Sequence, residues 1–189
     1  TGEITMDVSV IAVDEGVYTV ANDGVKMEAV KVSSTLTSRK GTWIGESQSY
    51  QNSYSTPVVV GQVMSTNDTD WSAFWSMGAT RYDPTDSSNL SIGKHVAEDT
   101  NTTRANETIG YIVIESGSGS IDGVAYEAGV GADTVKGPGN SATPYSYSLS
   151  GGLSSVSAAA VSIAGMDGNN GAWGMLAGNP AFTNSSISM

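Results

Sequence analysis

Cysteine is absent, which removes disulfide frameworks, thiolate zinc sites and cysteine nucleophiles together. Histidine occurs once, at His95, close to Glu98 and Asp99. A Ser-His-Asp site needs a serine on an exposed elbow, and no G-x-S-x-G occurs; His95 is read as a surface or edge residue. Basic residues are scarce: 8 Lys and Arg against 19 Asp and Glu leave a net charge of −11 and a pI near 4.2. That balance opposes binding to phosphate backbones and anionic lipid, which need clustered cations, so nucleic acid is excluded as a partner. No apolar run approaches the roughly 18 residues needed to span a bilayer. The chain opens at Thr1 without an initiating Met or a signal-like apolar region, which reads as a processed chain or a piece of a longer one.

What is present is a chain that should fold. Hydrophobic residues reach 39%, and the excess of Ser, Thr, Gly and Asn belongs to exposed faces and turns. Short runs rich in Val, Ile, Tyr, Trp and Thr, bounded by Gly, Asn, Asp or Pro, read as antiparallel β structure. Ile4, Met6, Val8 and Val10 alternate with polar residues, the period of an extended strand with one apolar face. Further strands are expected over 25–32, 42–50, 57–64, 71–77, 90–97 and 107–115, then over 124–130, 145–149, 158–164, 172–176 and 185–189. Sparse charge on such strands points to an extracellular or cell-surface location.

The second group echoes the first. Met64 aligns with Met166, Asn67 with Asn169 and Trp71 with Trp173 at one constant offset of about a hundred residues. Asp23-Gly24-Val25-x-x-Glu28-Ala29 returns as Asp122-Gly123-Val124-x-x-Glu127-Ala128. The expected fold is therefore all-β, with two tandem antiparallel β-sandwich modules. Residues 1–116 form the first module, including an N-terminal strand over 1–16, and residues 117–189 the second. In the first copy Leu90-Ser91-Ile92 leads to a closing strand ending Ile112-Val113-Ile114-Glu115; in the second, Ser186-Ile187-Ser188-Met189 leads to nothing. The second module thus lacks its closing strand. Val10 to Gly16 aligns with that strand's end, Tyr111 to Gly117, and supplies a candidate donor strand whose assembly residues are Ile4, Met6, Val8 and Val10.

At YSTPVVVGQVMST, followed by ETIGYIVIESGS, the chain resembles the H-type lectin-like β-sandwich repeats of large extracellular bacterial proteins. The shared elements are an aromatic before a turn, a Pro opening a Val-rich strand, and Glu-Thr leading into a hydrophobic closing strand. The likeness covers about residues 24–116, and Pro57 has no counterpart in the second copy. It implies binding of galactose-type sugars, with no residue set to transfer.

Other constellations read as follows. Asn67, Asp68 and Asp70 cluster oxygen ligands suited to calcium, but the second copy replaces them with Asn169-Asn170-Gly171-Ala172, so an Asx-rich turn is the better reading and no cofactor is expected. Trp71 and Trp173, matched across the repeat, read as core; Trp43 and Trp75 read as the exposed pair, candidates for stacking on a sugar ring. Asn67, Asn89, Asn101, Asn106 and Asn184 head N-x-S/T sequons available for glycosylation. The Gly129 to Thr134 stretch lacks both the third glycine of a dinucleotide loop and the Lys-Ser/Thr of a phosphate loop. The reading is a non-catalytic extracellular structural or adhesive subunit that self-associates into filaments or arrays by strand exchange. The alternative is a carbohydrate-binding module.

Overall fold

The computed structural model describes residues 8–137, 144–150 and 152–189; Ile4 and Met6 lie outside the described residues. The chain is almost entirely β. Its elements are β1 (Gly16–Tyr18), a one-turn helix α1 (Val20–Asp23), β2 (Met27–Ser34), β3 (Thr37–Ser38), β4 (Glu46–Gln48), β5 (Pro57–Val63), β6 (Ala73–Met77), β7 (Leu90–His95), β8 (Glu107–Glu115), β9 (Gly117–Ile121), β10 (Val124–Ala128), β11 (Ser146–Ser148) and β12 (Ser186–Ser188).

Strands β1, β2, β8 and β5 form one antiparallel sheet in that order. In the other, β7 pairs with β6, with β4, and in parallel with β3. The alternation read from the sequence decides which side chains lie between the sheets. Val59, Ile109, Tyr111 and Val113 from the first pack on Phe74, Leu90 and Ile92 from the second, with Tyr54 among them. The outer face of the first sheet is covered at one end, where Val13, Tyr18, Ile121 and Tyr126 pack on Val25, Met27, Val58 and Ile114. Gly61 is required where β5 nears β6, because a Cβ there would lie 2.7 Å from the Phe74 ring and 2.8 Å from the Gly110 carbonyl oxygen.

Lys94 and Glu28 are ionisable groups within this interior. Lys94 is fully buried and donates to the Ser34 carbonyl at 2.9 Å. Glu28 is fully buried too; one carboxylate oxygen accepts from the Gln51 backbone N–H at 2.7 Å while Oε1 has no partner. Burial raises the Glu28 pKa, partly countered by the backbone N–H groups of Gln51 and Asn52.

Pairings of the first sheets return in the second stretch at matching registers. Gly16, Val17 and Tyr18 face Ala29, Glu28 and Met27; their aligned counterparts Gly117, Ser118 and Gly119 face Ala128, Glu127 and Tyr126. Ser47 and Gln48 face Ser91 and Leu90, as Ser146 and Tyr147 face Ser188 and Ile187. Glu127 accepts the backbone N–H of Ser150, just as Glu28 accepts that of Gln51, each at 2.7 Å and each across a separation of 23 residues.

The central strand has no such counterpart. In the first sheet β8 pairs with β2 on one edge and β5 on the other, and no stretch of residues 152–189 corresponds to it. Strands expected over 158–164 and 172–176 accordingly do not form. A segment matched to β5 needs a β8 beside it, since a ladder requires backbone groups to pair with. Instead, Ala164 makes a single parallel bridge to Ser76 on the open edge of β6. The opening strand expected through Val10 is likewise unpaired over the described residues 8–13.

A carboxyl whose pKa is raised by folding favours the native state below its unfolded pKa, and that advantage is lost as pH rises through the folded value. Glu28→Gln, which keeps an acceptor for Gln51, is therefore expected to raise the urea midpoint at pH 7 and to show no gain near pH 4. Parallel urea titrations at both pH values check this.

Candidate functional site

The turn after β5 is organised by Glu107 at the start of β8. Its carboxylate accepts from the Ser65 hydroxyl, from the Asn67 backbone N–H at 3.1 Å and from the Asp68 backbone N–H at 2.8 Å. Burial alone would push the Glu107 pKa up, but these bonds and the Lys94 charge hold it net below the usual carboxylate range. Asp68 in turn accepts the N–H groups of Asp70 at 3.0 Å and Ala105 at 2.7 Å, which lower its pKa. The Arg104 side chain is buried and donates to the Trp71 carbonyl at 3.2 Å, the Asn101 carbonyl at 3.0 Å and Asp99 at 3.0 Å; Asp70 lies 3.8 Å away.

This arrangement places the candidate calcium residues. The carboxylate oxygens of Asp68 are directed at backbone N–H groups, Asp70 turns toward the Arg104 guanidinium, and the Asn67 side chain donates to the Asn106 carbonyl at 2.8 Å. Among the described residues there is no group of three His, Cys, Asp or Glu side chains able to hold a metal.

The same turn presents Trp71 to solvent. Trp71 and Trp173 are 52% and 53% exposed and meet edge to face with ring centroids 5.7 Å apart. Beside them lies a cleft of about 270 Å³, walled by Gln62 of β5, Phe74 of β6 and Ser72 just before β6, and by Val161, Ser162 and Trp173. A second cleft of about 370 Å³, between β1, β2 and residues 48–51, is lined by Glu15, Gln48, Gln51 and Tyr111 among others.

The expected exposure of the tryptophans is reversed. Trp75 is fully buried, its ring packed edge-on against Trp43 at 5.5 Å, so it offers no face to a sugar. Trp43 is half-buried and also meets His95 at 5.7 Å. The reversal arises because Trp75 lies on β6 opposite Gly93, whose missing side chain leaves room for the indole, whereas Trp71 precedes that strand. His95 is not a surface residue either. It is fully buried on the same outer face, and burial pushes its pKa down to about 4. The alternation of β7 would have assigned its face, but not the segment that covers it.

That cover comes from the second stretch. Ser76 donates to the Ile163 carbonyl at 3.0 Å and accepts from Gly165 at 2.8 Å. Ser162 receives the Gly61 N–H at 3.0 Å, and Asn169 Oδ1 accepts from Gly41 N–H at 3.0 Å and Trp43 Nε1 at 3.1 Å. At the other end, Val8 and Val10 are 74% and 72% exposed, and Ile11 is exposed beside them.

The sequon asparagines divide. The Asn89 side chain donates to both Asp86 oxygens, at 3.1 and 3.0 Å, and Asn101 accepts the Thr103 N–H at 3.0 Å. Asn106 and Asn184 are exposed.

No protein-family model, curated protein or solved structure matches this chain.

Glu107→Ala would strand the Asn67 and Asp68 N–H groups, at about 1–3 kcal/mol for each that stays buried. Urea denaturation should show a loss of that order, with faster amide exchange at both residues. In the unsubstituted chain the Glu107 contribution is present above the ordinary carboxylate pKa of 4.5 and is lost as pH falls through the lowered folded value.

Proposed function

We propose that this chain is a non-catalytic structural or adhesive subunit of the cell surface or extracellular space, joined to copies of itself by donation of its N-terminal segment. Residues 117–189 are then a second sandwich module without a closing strand. The observation that carries this reading is the recurrence of the β1–β2 and β4–β7 registers in a stretch with no counterpart to β8.

The donor follows from the repeat. Val10 to Gly16 aligns with Tyr111 to Gly117, so residues 8–13 of a neighbouring copy would take the place of β8 between β10 and the segment around Val161 to Gly165. Transferring the registers of β8 sets Val13 opposite Tyr126 and Ile11 opposite Ala128 on one edge, and Val10 opposite Ile163 on the other. Val8 and Val10 would then point inward, as Ile109 and Tyr111 do in the first core. Burying each such side chain stabilises by about 1.5–3 kcal/mol, and ordering each donor residue costs about 1–2 kcal/mol. The margin therefore rests on the ladder bonds and on the apolar surface they cover.

Sedimentation of the intact chain is expected to show concentration-dependent assembly that vanishes on removal of residues 1–13. Val10→Asp should weaken association at least tenfold, about 1.4 kcal/mol. Assembly undiminished by the deletion would defeat the proposal.

The exposed Trp71–Trp173 pair beside its polar-walled cleft favours a second reading, carbohydrate binding, in line with the resemblance to H-type lectin repeats. Aromatic faces flanked by hydroxyl and amide groups suit the apolar face and hydroxyls of a galactose-type ring. Glycan-array signal lost on both Trp71→Ala and Trp173→Ala would support it; signal surviving both would exclude this site.

A further inference from the structure

The segment that closes the β6 edge also seals the only histidine of the chain. Residues 163–165 pair with Ser76, Arg81 donates to the carbonyls of Met166 at 2.8 Å and Gly168 at 3.3 Å, and Asn169 holds Gly41 and Trp43. Gly171 then passes close over Ala97 and the Trp43 ring. Trp173, next along the same run, makes the contact with Trp71. Beneath this cover His95 Nδ1 accepts from the Ala97 N–H at 3.3 Å, so the neutral ring carries its proton on Nε2, where no group completes a hydrogen bond.

We propose that residues 166–173 form an acid-released latch: protonation of His95 lifts them from the outer face of β6 and β7 and separates Trp173 from Trp71. A charged imidazolium in this pocket would carry two donors, one facing the Ala97 N–H and neither facing a carboxylate, with the Ala172 carbonyl only a slight support, and lifting of the cover relieves it.

The charged residues around the pocket do not offset this. Lys40 is paired with Glu98 at 2.7 Å, Asp99 is paired with Arg104 at 3.0 Å and drawn by Arg39, and Asp167 on the latch is exposed. Strand β6 contributes Ala73 and Trp75, and β3 contributes Ser38. The downward shift of His95 is governed by burial, with slight support to the proton from the Ala172 carbonyl.

The sign is fixed by linkage. A histidine held neutral in the docked state favours docking fully above its free pKa of 6.5, and the preference falls about tenfold per pH unit down to its docked value of about 4, roughly 300-fold in all. The latch thus governs the tryptophan pair and its cleft whether or not a glycan is bound there.

A single histidine makes the test direct, because its imidazole gives one NMR signal. That signal should titrate below the free value of 6.5 and no lower than the docked value of about 4 in the intact chain, in step with release. In Gly171→Val it should move toward 6.5, since a Cβ at this position would lie 2.7 Å from the Ala97 Cα. The near-UV circular dichroism of the coupled tryptophans should fade between pH 6.5 and 4 while Val113 in β8 keeps its amide protection. His95→Phe should retain the dichroism throughout. An imidazole titrating near 6.5 in the intact chain, or the same fading in His95→Phe, would overturn the proposal. Should the phenylalanine variant fail to fold, the imidazole titrations of the intact chain and Gly171→Val decide alone.

Discussion

A β-strand carries hydrogen-bonding groups along both edges, and inside a protein both edges have to be answered. In the first sheet β8 answers two neighbours at once, pairing along β2 and along β5. Its inward residues Ile109, Tyr111 and Val113 also form the middle of the core. The core between the two four-stranded sheets is built around that strand. Where the pattern repeats without it, the flanking hairpin and the β11–β12 pair still form, because each is stabilised by its own ladder. The stretch between β11 and β12 makes no ladder of that kind and lies against β5, β6 and Gly41 instead.

Charge is used sparingly and for fastening. Glu107 and Arg104 sit near opposite ends of the loops around Trp71, and each spends its hydrogen-bonding capacity on backbone groups that would otherwise be orphaned. A carboxylate accepting several N–H bonds, or a guanidinium donating to several carbonyls, rigidifies a turn without a metal ion or a disulfide. Glu28 and Glu127 perform the simpler version, one tie each to a backbone N–H, at equivalent places in the two stretches. This explains how a chain without cysteine holds long loops in place and presents an exposed indole on one of them.

Much of this was readable beforehand. The all-β class and the existence of β2, β5, β6, β7 and β8 follow from local alternation, with the bounds of β8 as expected and those of β2, β6 and β7 displaced by two residues at one end or both. Strand period sorts residues by face, and along β8 it sets Ile109, Tyr111 and Val113 in one inward row. Exposure of the aromatics was not legible. Trp71 and Trp173 occupy aligned positions, and alignment was read as a sign of burial. In the folded chain both are half-exposed and touch each other at the surface. Trp75 and His95 looked accessible because β7 and β6 have an outer face, and nothing local announces that residues 163–172 lie across it.

The sequence by itself determined the β class and the main strands of residues 27–115, since side-chain period, turn residues and β-branching act over a few neighbours at a time. It also determined that Asp23-Gly24-Val25-x-x-Glu28-Ala29 returns as Asp122-Gly123-Val124-x-x-Glu127-Ala128. The tertiary structure alone decided where the unpartnered segment goes, which tryptophans stay in solvent and how deeply the single histidine is buried. Those outcomes depend on contacts between residues far apart along the chain, such as Ser76 with Ala164 and Trp71 with Trp173. Such contacts are set by which open edge and which exposed face happen to fit, and no local pattern encodes that fit.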